Sequence, residues 1–220
     1  PVDFGFAHQL KDRLLARAYE RFSKADHLRS EFVEFVRQQS YWLDDYALFR
    51  ALKDEHGGSA WTEWGSTENS SERLKSQVEA YQFYEFLFFR QWSALRSYCH
   101  ECGIKIIGDF PIFVAHDSAD VWTNPEQFKL DSSGNPLVVA GVPPDYFSST
   151  GQFWGNPLYN WERMQADGFK WWIERVRAIF AMVDVARVDH FRGFVAAWEI
   201  PGGDRTAENG QWVATPGRAL

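Results

Sequence analysis

Met182-Val183-Asp184-Val185-Ala186-Arg187-Val188-Asp189-His190-Phe191-Arg192-Gly193 changes character halfway along. Its first half is short, apolar and rich in valine, as in a strand covered on both faces, where the apolar run is nearly continuous. Charge enters at the C-terminal end. With a side-chain period of two, Val183, Val185, Arg187 and Asp189 share one face. A buried guanidinium beside a carboxylate keeps that carboxylate ionised. An ionised, oriented carboxylate at the C-terminal end of a barrel strand is what a nucleophile requires. On chain physics alone, a structural ion pair closing the strand accounts for the same residues equally well.

Working outward, the same order of elements occurs twice. A long helix is expected from about residue 72 to 102, with Val78, Phe83, Phe86, Leu87 and Leu95 among its apolar positions. Gly103 ends it, and Ile104-Lys105-Ile106-Ile107-Gly108-Asp109 reads as a buried strand. A second helix, about 167 to 180, carries Phe169, Trp172, Ile173, Val176 and Ile179 and runs into the Asp189 strand. Helix, short turn, buried strand and polar strand end, seen twice, is the pattern of an α/β barrel or an open α/β sheet.

Residues 110 to 160, between the two strands, exceed an ordinary strand-to-helix connection. This stretch holds six prolines, and Asp131-Ser132-Ser133-Gly134-Asn135 reads as a turn closing a hairpin between 128–130 and 137–139. An ordered, aromatic-rich excursion beyond a strand's C-terminal end is where barrel enzymes build their sites, so it reads as a cover over substrate.

The N-terminal part reads as three helices. Leu10, Leu14, Ala18 and Phe22 form one apolar stripe, and Ser23-Lys24-Ala25-Asp26 resembles a cap before a helix carrying Leu28, Phe32, Phe35 and Val36. A third passes through Trp42, Tyr46 and Phe49 and is stopped by Gly57-Gly58. Trp61-Thr62-Glu63-Trp64 lies in the polar connection that follows, where a structural clamp and a sugar platform are both open. The resulting division is a helical segment over 1–102, a barrel strand over 103–109, an insertion over 110–160, and helix, nucleophile strand and following loop over 161–220.

Composition narrows the function classes. A formal net charge of -7 argues against nucleic-acid and anionic-membrane partners, which call for a basic face. No apolar stretch is long enough to span a bilayer, and the start, Pro1-Val2-Asp3-Phe4, shows no charged-then-apolar leader. Cys99 and Cys102 lack the further ligands a zinc site needs and sit at a helix end that does not favour a thiolate. They read as reduced structural cysteines. Aromatics make up 17% of the chain, most of which must be core, and composition alone identifies no sugar.

The segment Arg187-Val188-Asp189-His190-Phe191-Arg192-Gly193-Phe194 resembles the nucleophile segment of the amylomaltase, or 4-alpha-glucanotransferase, family, relatives of the alpha-amylases. The resemblance extends through 103–122, which includes Gly108-Asp109-Phe110-Pro111-Ile112-Phe113, and through 139–148, Val139 to Ser148. It continues over Gly151-Gln152-Phe153-Trp154-Gly155-Asn156-Pro157-Leu158-Tyr159, and Trp42 to Lys53 is similar as well. Several long matches in the right order are far more specific than one short motif.

The resemblance implies a fragment of a (β/α)8 barrel and retaining transfer of alpha-1,4-glucan segments between maltodextrins, in the cytoplasm, without cofactor or metal. Asp189 is then the nucleophile that forms a glycosyl-enzyme intermediate, with Arg187 orienting it. Asp109 contacts the sugar in the reactive subsite, or caps its strand by pairing with Arg187. His190 is a further substrate contact, although it points off the Arg187/Asp189 face unless the strand has ended. Trp154 stacks on sugar beside the cleaved bond, with a loop anchor as the plainer alternative. Asp145, Tyr146 and, less strongly, Phe147 belong to a mobile loop over the acceptor side.

Retaining chemistry also needs a general acid about 5–5.5 Å from the nucleophile. In the family it comes from a later strand, and the only tempting substitute here, Glu199, belongs to the connection after the nucleophile strand. The expectation is therefore half of a catalytic site, inactive alone. Two other readings stay open: a glucan-binding module without catalysis, and a metal-dependent barrel hydrolase using His116, Asp117, Asp189 and His190.

Overall fold

A computed structural model describes residues 2–25 and 27–220, which divide into two compact units. The first comprises residues 1–59 and 63–95, and the second residues 60–62 and 96–220.

The first unit is helical. It contains α1 (Phe4–Phe22), α2 (Arg29–Glu55), α3 (Ser70–Arg73) and most of α4 (Lys75–Glu101). Asp3 opens α1 by accepting a hydrogen bond from Phe6 N at 2.9 Å. The core is a phenylalanine cluster of Phe22, Phe32, Phe83 and Phe86, with Phe22 and Phe83 stacked at 4.3 Å between centroids. Arg29 lies over the Phe22 ring at 4.3 Å while bonding Glu79.

Several expectations change here. The expected second and third helices are one, because nothing between Val36 and Trp42 breaks a helix. The α1 stripe is buried only at Phe22, while Leu14 stays exposed. Of the expected cap, Ser23 closes α1 instead, and Asp26 lies outside the described residues. The backbone entering α2 turns at Leu28, which takes a left-handed conformation. Gly57 and Gly58, both left-handed, do end α2.

The second unit holds, in chain order, β1 (Ile107–Pro111), α5 (Ala119–Thr123), β2 (Val138–Val142), β3 (Gln152–Pro157), α6 (Trp161–Ala166), α7 (Lys170–Met182), β4 (Val185–Asp189), β5 (Ala196–Pro201) and β6 (Gln211–Ala214). β1 and β4 pair in parallel, and the long crossover that a parallel pair requires runs between them, ending in α7. β2, β3, β5 and β6 form an antiparallel sheet in the order β3-β2-β5-β6. One core, centred on the fully buried Trp172, Tyr159 and Met164, includes Phe110 of β1, Val121 of α5, Ala140 of β2 and Ala197 of β5. Among the described residues the sheets do not close into a barrel; the architecture is mixed α/β.

The expected strand at 103–109 lies at 107–111. Gly103 is left-handed, its N–H reaches His100 O at 2.9 Å, and Ile104 N reaches Cys99 O at 2.8 Å, so the helix exit consumes residues 103 and 104. The expected hairpin is reduced to Leu130 facing Pro136, with backbone bonds from Asp131 N to Asn135 O and from Leu137 N to Lys129 O. From Val138 onward the chain pairs with β3 and β5 instead. The helix expected from 167 starts at Lys170, after left-handed Gly168 and Phe169.

The β4 strand is not buried on both faces. Val188 packs on the core, but Val185 is 45% exposed, as is Ile107 opposite it at 69%.

Candidate active site

The register of β1 against β4 sets the site. Asp109 lies opposite Arg187 and Pro111 opposite Asp189, so Asp109, Arg187 and Asp189 alternate on one exposed face at the C-terminal end of the pair. Arg187 forks onto Asp109, with Nε to Oδ1 at 3.0 Å and Nη2 to Oδ2 at 2.8 Å. This fork holds the Asp109 carboxyl below its ordinary range and raises the Arg187 guanidinium, to which Asp189 adds a smaller pull.

The expectation that a buried Arg187 would pin Asp189 is corrected on both counts. Its side chain is 68% exposed, and its hydrogen bonds go to Asp109. Exposed pairs add little to stability, so the fork's consequence is orientation: two carboxylates and one guanidinium are fixed on a single surface.

His190 follows directly. The strand ends at Asp189 and His190 takes a left-handed backbone, which swings its ring away from the strand face. The ring meets Trp154 edge-to-face at 4.8 Å and Phe113 at 6.1 Å. Its Nε2 is buried and has no hydrogen-bond partner among the described residues. Burial lowers the imidazole below its ordinary value, with Asp189 opposing more weakly.

Trp154 belongs to strand β3, so it is not the loop anchor considered above; its Nε1 donates to Gln152 Oε1 at 3.1 Å and its ring remains partly exposed. Thus Trp154 and His190 come together around Phe113. Asp145 and Tyr146 lie in the β2–β3 connection. Asp145 Oδ1 accepts from Phe147 N at 2.9 Å and Ser148 N at 2.8 Å, which builds the turn. Tyr146 and Phe147 project from it, 98% and 94% exposed, with their rings edge-to-face.

Other sequence candidates go elsewhere. Glu199 is buried on β5 and bonded to Lys129 Nζ at 2.5 Å, a structural ion pair far from an acid's solvent-facing role. His116 Nε2 contacts Gly134 O at 2.7 Å, and Asp117 accepts from Trp61 N. The four-residue metal alternative does not assemble: among the described residues no three His, Cys, Asp or Glu groups are spaced to hold a metal.

Sequence reasoning quoted Phe113, Gln152 and Gly193 within longer matches but gave none of them a place at the site. Gln152 and Trp154 share one face of β3, a period-two signal hidden because Gly155 and Pro157 made the stretch read as loop. Gly193 lets the turn after His190 press onto β1's exit, since a Cβ there would lie 2.7 Å from Ile112 Cδ1. Among the described residues no helix is long and apolar enough to cross a membrane.

With this geometry in hand, comparison with known proteins is direct. The family profile described as 4-alpha-glucanotransferase matches residues 1–220. The 4-alpha-glucanotransferase of Synechocystis sp. is 47% identical over 229 residues, covering 99% of this chain and 45% of that protein. The Thermus thermophilus enzyme of the same name is 46% identical, with 100% and 46% covered. The solved amylomaltase from Streptococcus agalactiae, in complex with acarbose, superposes with a TM-score of 0.94 at 38% identity, covering 100% of this chain and 46% of that one. The chain therefore spans a little under half the length of the relatives it matches. On a profile match over its whole length, the chain belongs to the 4-alpha-glucanotransferase family.

Proposed function

We propose that this chain is the nucleophile-bearing part of a 4-alpha-glucanotransferase, a segment of a (β/α)8 barrel that works on alpha-1,4-glucans in the cytoplasm without cofactor or metal. The observation that carries this is the single exposed face presenting Asp109, Arg187 and Asp189 at the end of two parallel strands.

In the proposed reaction the Asp189 carboxylate attacks the anomeric carbon, the glycosidic bond breaks, and a covalent glycosyl ester forms. A general acid contributed from outside this chain protonates the departing oxygen. An acceptor sugar hydroxyl then attacks the same carbon, giving its proton to the group that acted as acid in the first step, and the ester bond to Asp189 breaks. Asp109, held anionic by Arg187, accepts hydrogen bonds from sugar hydroxyls, while the Arg187 cation partly offsets the two carboxylates beside it. Trp154 supplies the stacking face, and His190 offers its buried Nε2 beside it. Tyr146 and Phe147, on the turn built by Asp145, cover the acceptor side; excluding water there favours transfer over hydrolysis. The acarbose bound by the Streptococcus agalactiae amylomaltase supports an oligosaccharide ligand.

The test is Asp189→Asn in the full-length enzyme carrying this chain, assayed by glucose release from maltotriose. Transfer should fall by at least about 10³-fold, with maltodextrin binding retained. Near-native turnover in that variant would end the assignment. The 220-residue chain alone should release no measurable glucose, since lacking the acid costs about 10²–10⁴-fold on general acid–base catalysis alone.

A further inference from the structure

The exit of β1 is held in an unusual way. Beyond Pro111 the chain leaves the parallel ladder, yet Ile112, Phe113 and Val114 are all buried, so their carbonyls cannot be left to water. Side chains from four other places take carbonyls along this exit, those of Pro111, Ile112, Val114 and His116. Arg175 of α7 donates through Nη2 to Pro111 O at 2.7 Å and through Nη1 to Ile112 O at 3.1 Å. The Tyr159 hydroxyl donates to the same Ile112 O at 2.6 Å and accepts from Arg175 Nη1 at 3.2 Å. Asn156 Nδ2 donates to Val114 O at 2.9 Å, and Trp61 Nε1 to His116 O at 2.8 Å.

Within this set Arg175 and Tyr159 stand closest to the chemistry. Pro111 is the register partner of Asp189, and Ile112 is the residue on which Gly193 closes. Phe113, next along, is packed by Tyr159 on one side and by Trp154 and His190 on the others. Tyr159 also follows β3, the strand carrying Trp154, by two residues. The guanidinium carbon lies 4.6 Å from the Phe110 ring centre, with Trp171 and Trp172 each at 5.3 Å, so aromatic contacts on several sides restrict it as it reaches the carbonyls.

We propose that Arg175 and Tyr159 are positioning residues for the transfer reaction, a clasp on the Pro111 and Ile112 carbonyls that fixes the nucleophile strand relative to the Trp154 platform. This rests on the assignment of Asp189 given above. Neither residue touches sugar. They act through Pro111 on Asp189 and through Phe113 on His190 and Trp154. Misplacement by a fraction of an ångström is enough to slow an oriented displacement. It leaves ground-state stacking nearly intact, so the effect belongs in kcat.

The test uses the full-length enzyme carrying this chain, with maltotriose as substrate and Asp189→Asn as the reference. Tyr159→Phe removes one hydroxyl without changing the ring, and Arg175→Lys keeps the charge but lacks the two separate nitrogens that reach Pro111 O and Ile112 O. Each should lower kcat about 5- to 50-fold with KM within about twofold of native. Arg175→Ala should regain part of its kcat in added guanidinium at low concentration. Native kcat in folded Tyr159→Phe and Arg175→Lys, with only a lower melting temperature, would show the clasp to be merely structural and overturn the inference while Asp189→Asn remains inactive. A rise in KM with kcat unchanged would overturn it too, by making the pair a ground-state binding device. An active Asp189→Asn would instead remove the assignment beneath it.

Discussion

A single residue, Asp184, shows how much of this architecture depends on charge placed at a strand's beginning. Its carboxylate accepts from Ile106 N at 2.9 Å, from Arg96 Nη2 at 2.7 Å, and lies 2.9 Å from His100 Nε2. It thereby ties the end of α4 to the approaches of both β1 and β4. The backbone N–H of Ile106, then His100 and Arg96, hold its carboxyl far below the usual carboxylate range. A lowered folded value means that the unfolded chain takes up the proton first. The contribution is therefore fully present above the ordinary 3.8 and is lost as pH falls below it toward the folded value. Asp184→Asn should melt lower than native at neutral pH, and the gap should narrow as pH is lowered through 4 to 3; an unchanging gap in thermal scans would contradict this. Asp184 was in the quoted stretch, but its role could not be read there, because its partners lie 78 to 88 residues away in sequence.

The same limit governs the site residues. Arg187 and Asp189 were legible as a same-face pair because period-two alternation is a local property. Asp109 lies on the other strand, so its pairing with Arg187 stayed one of two alternatives until the register between strands was known. A further residue-scale expectation concerns Phe169, left-handed and 7% exposed within the main core. Phe169→Gly relieves backbone strain of about 1–3 kcal/mol. It also removes a buried ring whose loss costs about 3–5 kcal/mol, so burial should win. The variant should unfold at lower denaturant, and a gain in stability would reverse that ranking.

At the scale of elements, the helices and the two parallel strands were largely visible from apolar spacing, whereas the antiparallel sheet was not. Its strands are short, and β2 and β3 carry Gly141, Gly155 and Pro157, which read as loop. Gly141 has a physical reason to be there: a Cβ would lie 2.3 Å from Gln152 O and 2.5 Å from Ile200 Cδ1. It is placed where the β2–β3 register shifts. Gly141→Ala should therefore push β3 away from β2, costing about 1–3 kcal/mol as overpacking does. Because β3 bears Trp154, maltodextrin binding should weaken along with stability. Intrinsic tryptophan fluorescence during a maltodextrin titration would read the second effect, and an unchanged midpoint would separate the platform from the strand pairing.

At the scale of the whole chain, the feature that sequence reading misjudged most is the covering of β1 and β4. Near-continuous apolar composition predicted two buried faces; the structure covers one, and Ile107 and Val185 remain on the other. Local composition reports what a strand is suited to, not what lies beside it. Among the described residues both strands of this two-stranded sheet also have an unpaired edge. The isolated 220-residue chain should therefore associate as concentration rises, and a charge placed on that face, Ile107→Lys, should reduce association in light-scattering measurements. Monodisperse behaviour of both proteins at high concentration would count against it.

The sheet order β3-β2-β5-β6 bears on how the protein is made. β2 is a central strand, and its second neighbour, β5, is encoded only after the whole of β4 and His190. On a ribosome, where segments emerge in order, the hairpin bearing Trp154 must wait with one side bare until Asp189 has itself been synthesised. Trp154 and Asp189 are therefore set in place together, and a nascent chain arrested between them displays an unfinished sheet to chaperones.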